Sequence, residues 1–224
     1  MQWLSENKFG LMAVLLVVGF VAFIVFQDSG NKANVAASAF ETVNSNSSMS
    51  RGAAAAPVSF IQYSDFLCPS CSYISIQVMP QVDKAFIDTG KVKYEFRPMA
   101  FIAEGSVQAG MGAYCAVDQD KFWTYHDNVY RYVAKRVFQD GLDPKSDIIL
   151  TGDLVKKIAL ESGLDGPIFS ECLDSKKHLS DITAATNEAN KNGVASTPYL
   201  LVNGTPVRGN PTFETISALI QARL

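Results

Sequence analysis

The stretch that decides the fold is Val58-Ser59-Phe60-Ile61-Gln62-Tyr63-Ser64-Asp65-Phe66-Leu67-Cys68-Pro69-Ser70-Cys71. Its first six residues, VSFIQY, are mostly apolar, β-branched or aromatic, over a length that suits a buried strand. A short turn leads to Cys68-Pro69-Ser70-Cys71. From Ser72 to Asp88 the apolar residues Ile74, Val78, Val82 and Phe86 then recur at helical spacing. The Cys-x-x-Cys therefore falls where a strand ends and a helix begins. Its first cysteine takes the helix N-cap, where unpaired N–H groups and the positive end of the helix dipole stabilise a thiolate. Its second lies one turn on, placed to close a small disulfide ring or to resolve a mixed disulfide. Pro69 suits the first helical turn, where its missing N–H is not needed. Ser70 brings no charge, so a lowered pKa at Cys68 is expected from the helix end alone. The pair is expected to be oxidising without being extreme.

The rest of the chain arranges itself around this junction. Pro80 should kink the helix, and Thr89-Gly90 should end it. Lys91 to Arg97 alternates Val92, Tyr94 and Phe96 with polar residues, the period of a strand. From about Glu104 to Asn192 the pattern is helical, with breaks near Gln119-Asp120, 141–146 and 163–167. Tyr199 to Val202 reads as a third strand, Asn203-Gly204 as a two-residue hairpin turn, and Thr205 to Arg208 as a fourth strand. Phe213 to Arg223 closes the chain as an amphipathic helix. One helix between the first two strands is what a right-handed parallel crossover requires. The helical block interrupts this α/β core as an insertion at about 103–192.

Upstream, Phe9 to Phe26 is an uncharged apolar run of eighteen residues. As a helix it would be ~27 Å long at ~1.5 Å per residue, close to a hydrocarbon core of ~30 Å. It is read as a transmembrane anchor at 9–26 after a short tail at 1–8. A cleaved signal peptide is the alternative; Ala37-Ser38-Ala39 resembles a cleavage site but lies far beyond the run. Residues 27–56 are rich in Ser, Asn, Ala and Gly and are read as a flexible linker. The domain proper is expected at 57–224, outside the cytoplasm.

Bulk composition excludes several classes. The 224 residues are 48% hydrophobic and 18% charged with a net charge of −3, so no basic excess points to nucleic acid. Two histidines are few for metal or relay chemistry. A zinc site needs four ligands, and no second close Cys-x-x-Cys or His pair accompanies Cys68 and Cys71. An inert structural disulfide at 68–71 would not need a strand–helix junction. No metal or cofactor is expected. Phe122, Trp123, Tyr125 and Tyr130 surround His126 in sequence and are read as core packing.

Three segments together resemble the thioredoxin superfamily, and within it the DsbA-like thiol–disulfide oxidoreductases. They are Tyr63-Ser64-Asp65-Phe66-Leu67-Cys68-Pro69-Ser70-Cys71, Lys121-Phe122-Trp123-Thr124-Tyr125-His126-Asp127, and Gly193-Val194-Ala195-Ser196-Thr197-Pro198 running into Tyr199 to Gly204. The resemblance implies a thioredoxin fold with an inserted helical domain. It implies a cis bond before Pro198, a loop facing the cysteines, and substrate backbone bound at Thr197. One departure stands out. Six residues before the first cysteine the family often has a buried acid that assists proton transfer to the second, and here that place is Gln62; Asp65 or water is the candidate replacement. Cys115 and Cys172 could each be a buried free thiol, but in an oxidising compartment a structural bridge between them is expected. Some members of the family resembled carry one. Closing so long a loop would stabilise the fold by about 4 kcal/mol on the chain-entropy model.

The expected function is introduction of disulfides into exported proteins with free thiols, with reoxidation by a membrane quinone-linked partner of the kind the family uses. A reductase or isomerase on the same fold is the alternative, and a non-enzymatic binding module a third reading.

Overall fold

The computed structural model describes residues 47–146 and 150–224. The tail at 1–8, the apolar run at 9–26 and most of the linker lie outside the described residues. Among the described residues no helix is long and apolar enough to cross a membrane.

Five strands form one mixed sheet in the order β1-β3-β2-β4-β5. They are β1 (Ser50–Arg51), β2 (Val58–Asp65), β3 (Val92–Met99), β4 (Tyr199–Val202) and β5 (Thr205–Pro206). At the centre, β2 runs parallel to β3 from Val58↔Val92 to Asp65↔Met99 and antiparallel to β4. Both faces of β2 are covered, as its near-continuous burial shows. On one face Phe60, Tyr94 and Phe96 pack against Trp123, Phe122 and Tyr130. On the other, Arg97 donates to the Tyr63 hydroxyl at 2.7 Å and to Glu95 at 2.7 Å.

Helix α1 (Pro69–Tyr73) starts four residues after β2 and continues through a π turn (Ile74–Val78), α2 (Met79–Val82) and a second π turn (Asp83–Ile87). The expected kink at Pro80 takes this form. Pro80 has no N–H and its ring crowds the carbonyl four residues back. The wider turn before it shifts the register, so that the Met79 N–H reaches the Ile74 carbonyl.

The insertion between β3 and β4 comprises α3 (Glu104–Val117), α4 (Phe122–Ala134) with a π turn (Lys135–Gln139), α5 (Gly152–Glu161), α6 (Gly166–Asp174) and α7 (Leu179–Lys191). The breaks expected in this block occur. An additional one at 175–178 has no glycine or proline to announce it; Lys176 there adopts φ +54°. Helix α8 (Phe213–Gln221) closes the chain, capped by Thr212. At the β4–β5 hairpin Asn203 and Gly204 both have positive φ, 45° and 71°. The Asn203 side chain also accepts from the Ser59 N–H at 2.6 Å, tying the turn to the central strand.

Residues 47–56, which the composition assigns to the linker, include elements of the folded domain. Met49 is buried, and β1 pairs antiparallel with β3 through Ser50↔Glu95 and Arg51↔Tyr94. Gly52 turns the chain at φ +97°, where a Cβ would collide with the Val92 carbonyl. Arg51 is the latch. Its guanidinium lies 4.4 Å from the Trp123 ring centroid and 5.2 Å from that of Tyr94, and Nη2 is 2.8 Å from Asp83 Oδ2. Two residues in a polar stretch carry this strand, too few for a periodic signal. Arg51→Ala should destabilise the domain by about 1–2 kcal/mol. Arg51→Lys should recover only part, since an ammonium keeps the charge but not the planar stack. An unchanged urea midpoint in Arg51→Ala would show that backbone pairing alone holds β1.

Candidate active site

Cys68 is the N-cap of α1, with extended backbone (φ −74°, ψ 119°) and Pro69 in the first turn. Its Sγ accepts the Cys71 backbone N–H at 3.3 Å. This is the capping bond that Ser or Asp would make, with sulfur as the acceptor in place of oxygen. Ser72 follows in the first turn, its Oγ donating to the Pro69 carbonyl at 2.7 Å. Both cysteines are free thiols. They differ in access: Cys68 is 5% exposed and Cys71 fully buried. Ser70, between them, faces solvent.

The two sulfurs also differ in acidity. The neighbouring Cys71 thiol hydrogen-bonds the Cys68 sulfur and, with the capping N–H, lowers the Cys68 pKa to about 7 against the opposing effect of burial. Burial, reinforced by the sulfur of Cys68, pushes the Cys71 thiol well above its ordinary value. One thiol is thus poised to ionise near neutrality and the other to stay protonated.

Thr197-Pro198 joins this pair. The bond before Pro198 is cis, and the Cys68 thiol reaches the Thr197 carbonyl at 3.5 Å. Thr197 and Pro198 are half-buried. Beside them opens a cavity of about 410 Å³, whose walls include Tyr73, Ile74, Phe138, Pro198, Tyr199 and Val207. Tyr73 and Phe138 are exposed at its rim.

Cys115 and Cys172 are joined in a disulfide within the insertion, remote in sequence from the first pair. His126 is buried among Phe66, Phe96, Phe122, Trp123 and Tyr130, with Nδ1 2.8 Å from Asp127 Oδ1. Burial lowers its pKa, so it packs as a neutral ring.

The replacement for the expected acid is a neutral network. Tyr94 Oη donates to Gln62 Oε1 at 3.1 Å, Gln62 Nε2 donates to Ser64 Oγ at 3.1 Å, and Ser64 Oγ lies 2.8 Å from Tyr130 Oη. Ser64 also favours the Cys71 thiolate, against the larger effect of burial. Asp65, the other candidate, is fully committed. Its Oδ1 accepts from the Leu67 N–H and Ser106 Oγ, and its Oδ2 from the Phe101 and Ile102 N–H groups, at 2.7 to 3.3 Å. Burial raises its pKa while these donors favour the ionised form. The four bonds staple the loop before Cys68 to the start of the insertion and leave no oxygen aimed at Cys71. The sequence does not single out Ser64, Ser106 or Tyr130 as members of the site. The one signal it carries is the polar pair Ser64-Asp65 ending an apolar strand.

The thioredoxin family model matches residues 44–222. Among curated proteins, the probable disulfide bond formation protein D of Bacillus cereus is 29% identical over 95% of this chain and 93% of its own. The disulfide bond formation protein D of Bacillus subtilis is 26% identical, over 75% of this chain and 73% of its own. Among solved structures, oxidised BdbD of Bacillus subtilis superposes with a TM-score of 0.68 at 23% identity, covering 78% of this chain and 91% of that one. DsbA of Chlamydia trachomatis gives 0.66 at 20% identity, covering 78% and 90%.

Two outcomes test the site. In the reduced protein the rate of iodoacetamide alkylation at Cys68 should rise with pH about a midpoint near 7, with Cys71 unreactive across that range. A midpoint at an ordinary thiol value would remove the role of the Cys71 thiol and of the capping N–H together. Asp65→Asn leaves at least one of four donors opposed by an NH₂ group, so it should cost about 2–3 kcal/mol in urea unfolding. It should also lower the Cys68 midpoint, because the Asp65 charge disfavours the thiolate. A raised midpoint would contradict that electrostatic assignment.

Proposed function

The chain belongs to the thioredoxin family and is a DsbA-like protein disulfide oxidoreductase; from that premise we propose that it introduces disulfides into exported proteins through Cys68 and Cys71. A substrate thiolate attacks Cys68 Sγ of the oxidised pair, and Cys71 leaves and takes up a proton. The substrate's second thiolate then attacks its own sulfur in the mixed disulfide, expelling Cys68 as a thiolate. The products are an oxidised substrate and a reduced pair.

The observation that carries this direction is the inequality of the two thiols. A Cys68 pKa of about 7 makes it the better leaving group. The raised pKa of Cys71 keeps it protonated, so it seldom attacks back on the mixed disulfide. A reductase needs a base beside Cys71, since there that thiol must ionise to resolve the intermediate. Neither Gln62 nor the saturated Asp65 supplies a free base for that step.

Substrate recognition follows from the loop and the cavity. Thr197 would pair with substrate backbone beside Cys68, and the apolar cavity beyond Pro198 would take a neighbouring side chain. The apolar run at 9–26 would anchor the protein in the membrane with the catalytic domain on the extracytoplasmic side. The linker would raise the effective concentration of the domain at a membrane partner. A quinone-linked membrane protein would reoxidise the pair. Cys115–Cys172 would serve as a structural bridge, and no cofactor is required.

One observation favours the reverse flow: thioredoxin, a reductant, has a nucleophilic thiol of pKa ≈ 7, close to that of Cys68. The potential of the 68–71 pair separates the two readings. Oxidation predicts a value well above ~−200 mV, whereas one near ~−270 mV points to a reductase. In the same assay Cys68→Ser should abolish oxidation of a dithiol peptide. Wild-type rates in that variant would remove the Cys68–Cys71 mechanism altogether.

A further inference from the structure

The Cys115–Cys172 disulfide has surroundings that a disulfide does not need. Cys115 lies in α3 and Cys172 in α6, with Cα atoms 6.0 Å apart. After α6 the chain turns back through Lys176 at φ +54°, with the Lys177 N–H bonded to the Cys172 carbonyl. That turn delivers His178, at the N-cap of α7, over the bridge. A ring nitrogen of His178 and the two sulfurs lie within 4.8 Å of one another. A fourth donor stands beside them: Asp118 Oδ2, just past the end of α3, is 2.8 Å from His178 Nε2 and 4.0 Å from Cys172 Sγ.

The other ring nitrogen gives an independent indication. His178 Nδ1 is 2.5 Å from Asp181 Oδ2, and the ring stacks on Tyr114 at 5.6 Å. A histidine whose second nitrogen is bonded to a carboxylate, its ring fixed by packing, is the arrangement that orients an imidazole toward a metal. Two sulfurs, one imidazole and one carboxylate are a zinc-type donor set.

We propose that when the Cys115–Cys172 bond is open, Cys115, Cys172, His178 and Asp118 hold a zinc ion. The reduced chain then carries a metal clip across α3, α6 and α7 where the oxidised chain carries a covalent bridge. Opening the bond takes two electrons from a thiol or phosphine reductant and two protons, giving two thiols. Zinc binding then forms two Zn–S bonds and releases those two protons. Two thiolates and the Asp118 carboxylate exceed the ion's charge by one, and the Lys177 ammonium, 2.7 Å from Asp118 Oδ2, offsets the excess. The sulfurs are buried, while Asp118 is partly exposed and forms the entrance.

The test uses the full-length chain carrying Cys68→Ser and Cys71→Ser, which removes the other thiol pair. It is reduced with a trialkyl phosphine and titrated with zinc against a chromophoric chelator, while near-ultraviolet circular dichroism follows the fold. The reduced chain should bind one zinc with proton release and a retained fold, and the oxidised chain none. His178→Ala should abolish tight binding. Asp181→Asn, which changes only the group orienting the ring, should weaken it ~10–100-fold. Equal binding by oxidised and reduced chains, an affinity indifferent to His178→Ala, or a reduced chain that stays unfolded with zinc would each overturn the proposal.

Discussion

The interaction on which the rest depends is the bond from the Cys71 backbone N–H to the Cys68 sulfur at the start of α1. It places sulfur where a helix ordinarily receives a side-chain oxygen. A thiolate there meets the Cys71 thiol first and the capping N–H second, and together they bring ionisation to about 7 against burial. The bond exists only because β2 ends and α1 begins within a few residues, and because Asp65 fixes the intervening backbone. The strand must be central, the loop must be stapled and the helix must start at Pro69 for one sulfur to become reactive.

That geometry also sets the difference between the two thiols. The same turn that exposes the edge of Cys68 carries Cys71 inward, against β2 and the aromatic face of α4. Its surroundings are neutral, with Ser64, Tyr130, Gln62 and Tyr94 joined in a hydrogen-bonded chain. A buried acid at the Gln62 place would have given Cys71 a base. The neutral network offers no such base, and burial together with the Cys68 sulfur holds the Cys71 thiol well above its ordinary pKa. The insertion contributes in the same way. It supplies Ser106 to Asp65 and Tyr130 to Ser64, so the helical block is part of the redox site as well as its cover.

Much of this is legible in the sequence. VSFIQY announces a buried strand, Cys-Pro-Ser-Cys its junction with a helix, and Asn203-Gly204 a hairpin, because each rests on local conformational preference. The start of the domain is not legible. Ser50–Arg51 is held by one cation over two adjoining rings and by pairing with Glu95 and Tyr94, and neither has a local pattern. The break at 175–178 escapes notice for a similar reason: a lysine adopts positive φ there, held by backbone bonds to the preceding helix.

The sequence by itself determined the α/β order, the helical insertion and the placement of Cys68 and Cys71 at a strand–helix junction, since these follow from periodicity and turn chemistry. Tertiary structure alone decided how the polar residues around them are used. In a string of letters Asp65 is a plausible base for Cys71, and Gln62 is only the place where the family often has an acid. Only in three dimensions does one prove to be saturated by four donors and the other to belong to a neutral chain. The same holds for His178, whose place beside Cys115 and Cys172 depends on how three helices meet. Hydrogen-bond saturation and long-range proximity are properties of the packed molecule, and no local pattern encodes them.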